Sequence, residues 1–277
     1  MSVAFDWVQP FPLIVRFRQS FGWLSVGFIC LGILPSQANA NIAPLPIAVT
    51  YTATIPDDIA SNIDISLGAI KGLTQCTELS ELAINQVQQA IGKTVIQSAH
   101  SFGYFAARVE DIHITDPQIC HEWTIDIQLD QQAQIADITL AITGELDQSA
   151  ALTQLVQTFK QQLNGPFKQS EYQSFKDNFY SQAIAQGYFD IHFQQQSVTV
   201  SADNRTVDIM LAIALGERYT IRQFVIDDNI LEANVVATVS DIAIGDNYSL
   251  NALNTLTNNL KQTGFFNSLQ VRPNLKE

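Results

Sequence analysis

A glycine followed by two aromatic residues occurs three times in this chain, at intervals the size of a small domain. The copies are Gly103-Tyr104-Phe105, Gly187-Tyr188-Phe189 and Gly264-Phe265-Phe266. They are about 84 and about 77 positions apart, a period that indicates an array of similar domains. Chance recurrence is the alternative, and the residues around each copy distinguish the two.

Each glycine follows an apolar stripe with the spacing of an amphipathic helix. The stripes are Ile84, Val87, Ile91 and Val95 before the first glycine, Tyr172, Phe175, Phe179 and Ala183 before the second, and Leu253, Leu256 and Leu260 before the third. Gly103, Gly187 and Gly264 are therefore predicted to end three long helices, because glycine adopts the left-handed conformation of a helix end without strain. Ser170 and Gln173 have the spacing of a capping box, which predicts the start of the middle helix.

Alternating apolar residues predict two strands after each of the first two glycines. These strands are expected at Arg108–Ile114 and about Trp123–Leu129, then at Asp190–Val200 and Val207–Ile213. A strand and a shorter helix precede each long helix, so each unit has the order β-α-α-β-β in roughly 80 residues. The predicted fold class is therefore α+β, with three such domains in tandem, of which the third lacks its last strand.

The N-terminal segment is predicted to be a secretory signal peptide. Arg16 and Arg18 precede an apolar run from Phe21 to Leu34, and an A-x-A cleavage site ends at Ala40. A run of about 14 residues is short for a bilayer span, so cleavage after Ala40 is preferred to a retained anchor. The three predicted domains then occupy residues 41–131, 132–215 and 216–277.

Charge and residue types argue against nucleic-acid binding and against catalysis. The formal net charge is −13, and an acidic surface repels phosphate backbones. Asp111, His113, Cys120 and His121 are close in sequence, but their spacing matches no closed zinc site. Because no catalytic or nucleotide-binding fingerprint is present either, we expect a protein that is not an enzyme and needs no metal or cofactor.

The repeated β-α-α-β-β order behind a secretory signal resembles POTRA domains, the polypeptide-transport-associated domains of outer-membrane assembly proteins. The resemblance is greatest to one branch of the BamA/TamA superfamily, the translocation and assembly module subunit TamA. It is carried by the segments Phe167–Tyr172, Gln186–Asp190, Gly216–Tyr219, Gly245–Tyr248 and Thr263–Ser268. The first unit resembles the family only in its order of elements and in its glycine-aromatic motif.

This resemblance implies a non-enzymatic arm on the periplasmic face of the outer membrane, which scaffolds the assembly of outer-membrane proteins or autotransporters. The implied partners are a TamB-like protein anchored in the inner membrane and unfolded clients, and the family's arms lead into an outer-membrane barrel. Because the sequence stops at Glu277 before any barrel strands, we expect it to be a fragment. A free periplasmic holdase and the arm of a two-partner secretion transporter are the alternatives.

Two cysteines follow the signal peptide, and the topology allows them to form a disulfide. In the order β-α-α-β-β, the loop between the helices and the turn between the last two strands lie at the same end of the domain. Cys76 is in that loop and Cys120 is in that turn. A bridge closing about 45 residues would stabilise the domain by on the order of 4 kcal/mol in an oxidising compartment, and two free thiols are the alternative.

Client binding is expected at an edge strand, because a sheet leaves unpaired backbone groups along its edges. The resemblance implies that this edge is the strand after the long helix. In the second unit the candidate residues are Phe193, Gln194, Gln195, Gln196 and Val198. Their polar but uncharged run can admit an extended client by β-augmentation, and a merely solvated edge protected from aggregation is the alternative.

The links between units are short. Only a few residues separate the last strand of one unit from the first strand of the next, which favours a rigid, directional arm. Gly216 is expected to make the turn at the second link, and Tyr219 is expected to pack at the domain boundary.

Overall fold

The computed structural model of the chain describes residues 49–70, 73, 80–114, 122–146, 149–223, 242–264, 269, 271–273 and 275. The predicted signal peptide with Ala40, and the predicted disulfide partners Cys76 and Cys120, lie outside these residues. No helix within the described ranges is both long enough and apolar enough to cross a membrane.

The first unit has the predicted order of elements. Strand β1 (Val49–Tyr51) is followed by helices α1 (Asp57–Leu67) and α2 (Glu81–Ser101), and then by strands β2 (Arg108–Ile114) and β3 (Trp123–Gln128). The sheet order is β1-β3-β2, in which β1 is parallel and β2 antiparallel to the central strand. Strands β1 and β2 therefore form the two edges.

The second unit repeats this arrangement. Its elements are β4 (Gln134–Thr143), α3 (Ala150–Lys160), α4 (Gln169–Ala185), β5 (His192–Val200) and β6 (Thr206–Ala214). The sheet order is β4-β6-β5, again with one parallel and one antiparallel neighbour of the central strand. The predicted α+β class is confirmed, and both units have the predicted β-α-α-β-β order.

Each of these two units has its own hydrophobic core between the sheet and its helices. The central strand turns alternate side chains toward the helices, because successive residues of a strand point to opposite faces. In the second unit these side chains are Val207, Ile209, Leu211 and Ile213, each at most 1% exposed. Phe179 of α4, which is fully buried, belongs to the same core.

The third unit is described only in part. Helix α5 (Leu250–Gln262) turns Leu256 and Leu260 into a small buried cluster. In the described residues ahead of it, a single β-bridge joins Thr220 to Asn247 where a first strand was predicted. The remaining elements expected of this unit lie outside the described residues, so the three-domain array and its missing strand stay predictions.

The capping-box prediction for α4 is wrong. The helix begins at Gln169 with Lys168 as its N-cap, and no side chain caps it, so Ser170 lies inside the first turn. The Phe167 amide donates to the Ala133 carbonyl, and Lys168 is extended (φ −133°, ψ 123°), so Lys168 takes the N-cap position. Ser170 is therefore already helical and cannot cap the helix. Serine hydroxyls do cap three other helices, at Ser80, Ser149 and Ser249.

Candidate functional site

The predicted client-binding residues lie on β5, an edge strand of the second sheet. The Ser201 amide donates to the Thr206 carbonyl at 3.0 Å, at the turn between β5 and β6. Because backbone groups alternate along an antiparallel strand, the N–H and C=O groups of Gln196 and Val198 point away from β6. These two side chains face α4 and the core, whereas Gln195 is exposed on the open face of the sheet.

A β-bulge at Gln194 divides the predicted binding residues into two groups. The register with β6 shifts between Phe193 and Gln195, so Gln194 is an extra residue. A bulge bends its strand and disturbs the outer row of hydrogen-bonding groups. The regular part of the edge therefore runs from Gln195 to Val200, and Phe193 instead packs against the core of its own unit.

The equivalent edge of the first unit, β2, is less open. It has a bulge at the same place, between Val109 and Asp111. Gln88 of α2 donates a hydrogen bond to the outward carbonyl of Ile112 at 2.9 Å, so a helix side chain already occupies that acceptor. Within the described residues, no side chain donates to a backbone carbonyl of β5.

The opposite edge of the second sheet, β4, is partly covered. The Ile135 amide donates to the Gly165 carbonyl at 2.9 Å, and the Asn164 amide donates to the Ile135 carbonyl at 2.8 Å. The chain after α3 thus occupies the beginning of β4, and Asp137 adds a charge to the part that follows. Of β2, β4 and β5, only β5 has no acidic residue, lysine or arginine.

Gly103 and Gly187 follow α2 and α4 with positive φ values of 84° and 94°. In both places the amide of the next tyrosine donates to a carbonyl of the last helical turn at 3.0 Å, which is the bonding of a Schellman motif. Gly264 has a φ of 72° in the same position after α5. The three glycines therefore lie at helix ends in the left-handed conformation.

The turn at Gly103 is also the contact with the second unit. The Gly103 carbonyl accepts a hydrogen bond from the Ala133 amide at 2.9 Å, and the Ala133 carbonyl accepts one from the Phe167 amide at 2.9 Å. The rings of Phe105 and Phe167 lie 5.8 Å apart between centroids. A β-carbon on Gly103 would come within 2.6 Å of the Phe167 carbonyl oxygen, so the second unit is held too close for any other residue.

The second link repeats these contacts. The Gly187 carbonyl accepts from the Tyr219 amide at 2.9 Å, and the Tyr219 carbonyl accepts from the Tyr248 amide at 2.8 Å. The Phe189 ring meets Tyr219 and Tyr248 edge-on, at 5.3 and 4.8 Å between centroids. A β-carbon on Gly187 would lie 3.0 Å from the Tyr248 β-carbon. The two junctions are therefore equivalent.

A side-chain hydrogen bond is also common to both junctions. Gln132 Nε2 donates to the Phe102 carbonyl at 2.8 Å, and Arg218 Nε donates to the Gln186 carbonyl at 2.8 Å. Both acceptors belong to the C-cap residue of a long helix, where carbonyls lack partners within the helix. Each of the first two units thus uses the open end of its long helix to hold the unit that follows.

Gly216 and Tyr219 lie at the second link, where the sequence placed them. Gly216 has a φ of 72°, and a β-carbon there would lie 2.9 Å from the Asp190 β-carbon. Asp130 takes the corresponding left-handed conformation at the first link, with a φ of 59°. The sequence pattern assigned Gly103 and Gly187 only to helix ends and did not indicate their partners across the junctions. The available signal was an aromatic residue two positions before a long helix, at Phe167 and at Tyr248.

One ion pair crosses the first junction. Lys168 Nζ lies 3.0 Å from Asp58 Oδ2, and the ammonium is 5.7 Å from the centroid of the Phe102 ring. The hydrogen bond from Lys168 lowers the pKa of the Asp58 carboxyl below its ordinary value. Because both side chains are partly exposed, the pair contributes less than about 1 kcal/mol to stability.

Lys168→Gln is expected to raise the pKa of Asp58 toward its ordinary value, because the neighbouring charge is removed. A carboxyl whose pKa is depressed in the folded state contributes stability above its unfolded pKa and loses it as the pH falls through the folded value. Wild type therefore loses this small contribution on acidification, and the variant has less to lose because the bond from the Ile59 amide remains. An NMR titration of the Asp58 carboxyl carbon measures the shift, and an unchanged pKa would show that the pair does not form in solution.

A cleft of about 410 Å³ beside this junction contains no titratable side chain. It is lined by Asn62, Ser66, Thr94, Gln97, Ser98, Ser101, Phe102, Gln169, Ser170 and Gln173. In the candidate metal cluster, His113 contacts Asp111 at 3.0 Å on an exposed surface, and Cys120 and His121 lie outside the described residues. No group of three or more potential metal ligands is present in the part of the chain that the structure describes.

No protein-family model matches this sequence. Among solved structures, the chain is similar to POTRA domains 3–5 of BamA from Haemophilus influenzae, with 18% identity, a TM-score of 0.39, and coverage of 82% of this chain and 88% of that one. It is also similar to POTRA domains 1–3 of the periplasmic domain of Omp85 from Anabaena, with 13% identity, a TM-score of 0.31, and coverage of 81% and 86%. For the N-terminal domain of Omp85 from Thermosynechococcus elongatus, the identity is 14%, the TM-score 0.30, and the coverage 81% and 88%. At these identities and scores, the similarity does not assign a function.

Proposed function

We propose that this chain is the periplasmic arm of an outer-membrane protein assembly factor of the TamA type. Its three domains would occupy residues 41–131, 132–215 and 216–277, behind a signal peptide cleaved after Ala40. The observation that carries the proposal is the open, uncharged edge of β5, on a unit that equivalent hydrogen bonds join to both of its neighbours. Such an arm works by binding and positioning and not by catalysis.

The mechanism follows from the chemistry of the β5 edge. An extended client segment that pairs with Gln196 and Val198 satisfies outward backbone groups, and these hydrogen bonds do not depend on the client's side chains. This suits unfolded barrel strands or autotransporter segments, which differ in sequence but share an extended backbone. The junctions matter because they keep the edge in a constant direction relative to the neighbouring units.

The partners belong to the same proposal. A TamB-like protein anchored in the inner membrane would contact the arm, and a barrel beyond Glu277 would attach it to the outer membrane. Support for this assignment comes from the sequence segments around Phe167, Gly187 and Tyr248 that resemble the TamA branch. Cys76 and Cys120 would form a disulfide on export, because the periplasm is oxidising.

Site-specific photocrosslinking tests the proposed edge. A photoreactive amino acid is placed at Gln195, on the open face of β5, and in a matched variant at Thr139, exposed on the opposite edge strand β4. An unfolded outer-membrane barrel protein, diluted from urea, is expected to crosslink at Gln195 and not at Thr139. Equal crosslinking at both positions would contradict edge-specific binding and would favour a holdase that captures clients over its whole surface.

A further inference from the structure

Lys176 of α4 is a buried cation beside the β5 edge. Its residue is only 9% exposed, which is unusual for lysine. The ammonium Nζ donates a hydrogen bond to Gln196 Oε1 at 2.9 Å and lies 4.7 Å from the centroid of the Tyr172 ring. Burial lowers the pKa of Lys176, and the nearby charge of Asp177 partly opposes this shift.

No carboxylate pairs with this ammonium. Within the described part of the chain, the ion pairs involve Arg108, His113 and Lys168, and none involves Lys176. The neighbouring Asp177 accepts a hydrogen bond from Gln173 at 2.9 Å instead. Asp177 attracts the ammonium only from beyond ion-pair distance, and a buried charge without a close partner is costly, so this position favours an incoming anion.

The position of Lys176 relative to the edge determines what could neutralise it. The backbone groups of Gln196 point outward, and its side chain lies on the face of the sheet that is covered by α4. In a strand added next to β5, the residue opposite Gln196 would turn its side chain to the same face, about 5 Å away between β-carbons. A carboxylate on that residue is within reach of the Lys176 ammonium.

The first unit does not offer this charge. At the equivalent place, Gly92 of α2 faces Ile112 of β2, and a β-carbon on Gly92 would lie 3.6 Å from the Ile112 Cδ1 atom. The contact there is apolar. A preference set by Lys176 is therefore a property of the second unit and not of the repeated fold.

We infer that the β5 edge beside α4 selects extended segments that carry a glutamate or aspartate at the position facing Lys176. This inference rests on the proposed β-augmentation at β5 and adds a sequence preference to it. Main-chain hydrogen bonds hold the segment in place, and the ion pair sets its register. Clients lacking an acidic residue at that position still bind, but more weakly.

Two peptides that differ only in their central residue measure this preference. Both are soluble, threonine-rich, about nine residues long, N-acetylated and C-amidated, and carry either glutamate or glutamine at the centre. Their affinities for the mature chain are measured by isothermal titration calorimetry. We expect the glutamate peptide to bind wild type about tenfold more tightly, because a charge-assisted hydrogen bond is stronger than a neutral one.

Variants of Lys176 assign the preference to this side chain. Lys176→Gln is expected to bind both peptides with the affinity that wild type has for the glutamine peptide, and Lys176→Arg is expected to keep the preference. Equal binding of the two peptides to wild type would overturn the inference while leaving β-augmentation intact. Failure of wild type to bind either peptide would reject augmentation at β5 and the inference with it.

Discussion

Gly103→Ala is expected to separate the first unit from the second without unfolding either of them. The added β-carbon would lie 2.6 Å from the Phe167 carbonyl oxygen, a backbone atom that cannot move aside by rotating a side chain. Alanine in the left-handed conformation adds a further cost of about 1–2 kcal/mol. Opening the junction relieves the overlap at the expense of a few hydrogen bonds, whereas unfolding would lose a complete core.

Amide hydrogen exchange measured by NMR reports this separation residue by residue. The amide of Ala133 is bonded to the Gly103 carbonyl across the junction, and in the variant it should exchange at least about tenfold faster, since each 1.4 kcal/mol is a factor of ten. Amides in the core, such as that of Ile125, should keep their protection. Unchanged exchange at Ala133 would contradict the assigned role of the glycine.

Gly264→Ala is the matched control for this experiment. Gly264 has a similar positive φ of 72°, but no described atom lies within 4 Å of the position of an added β-carbon. The control therefore carries the conformational cost of alanine without the overlap. It should leave exchange at both junctions unchanged, which separates the effect of the contact from the effect of φ.

Phe179→Ala is expected to destabilise the second unit by about 3–5 kcal/mol, the usual cost of removing a buried phenylalanine. Phe179 is fully buried, and its ring lies 5.7 Å from that of Phe175, which stacks on Phe159 at 4.1 Å. The substitution would leave a cavity between α4 and the sheet. Because the edge strand β5 packs on the same core, client binding should fall with stability.

Chemical denaturation followed by hydrogen exchange tests whether this loss stays within one unit. The first unit has a separate core, so its amides should keep their protection when the second unit unfolds. Tyr180→Ala, which changes the next residue of α4, is the control, since Tyr180 is 45% exposed and should cost far less. A simultaneous loss of protection in both units would show that they unfold as a single cooperative body.

The order and type of the elements could be predicted because hydrophobic periodicity is a local property of the sequence. The strand predicted at Arg108–Ile114 has these bounds in the structure, and the strand predicted at Asp190–Val200 begins two residues later, at His192. The bulge at Gln194 could not be predicted in the same way. It depends on pairing with β6, and nothing in the local pattern of β5 marks it.

The candidate site was predictable only in outline. The uncharged edge of β5 was recognisable from its glutamines, but the buried ammonium beside it was not. Lys176 has the spacing of the buried stripe of α4, four residues after Tyr172, but the contact of its ammonium with Gln196 depends on the tertiary approach of β5. The predicted start of α4 was also wrong. The hydrogen bond from the Phe167 amide to the Ala133 carbonyl just before this helix is a tertiary contact, which no local sequence pattern marks.

By itself, the sequence determined where the long helices end, because only glycine takes a positive φ at no steric cost. The tertiary structure alone decided that Gly103 and Gly187 also hold the next unit. That second role depends on amides far along the chain, at Ala133 and Tyr219, reaching the glycine carbonyls. Such an approach leaves no periodic signal, because it arises only after both units have folded.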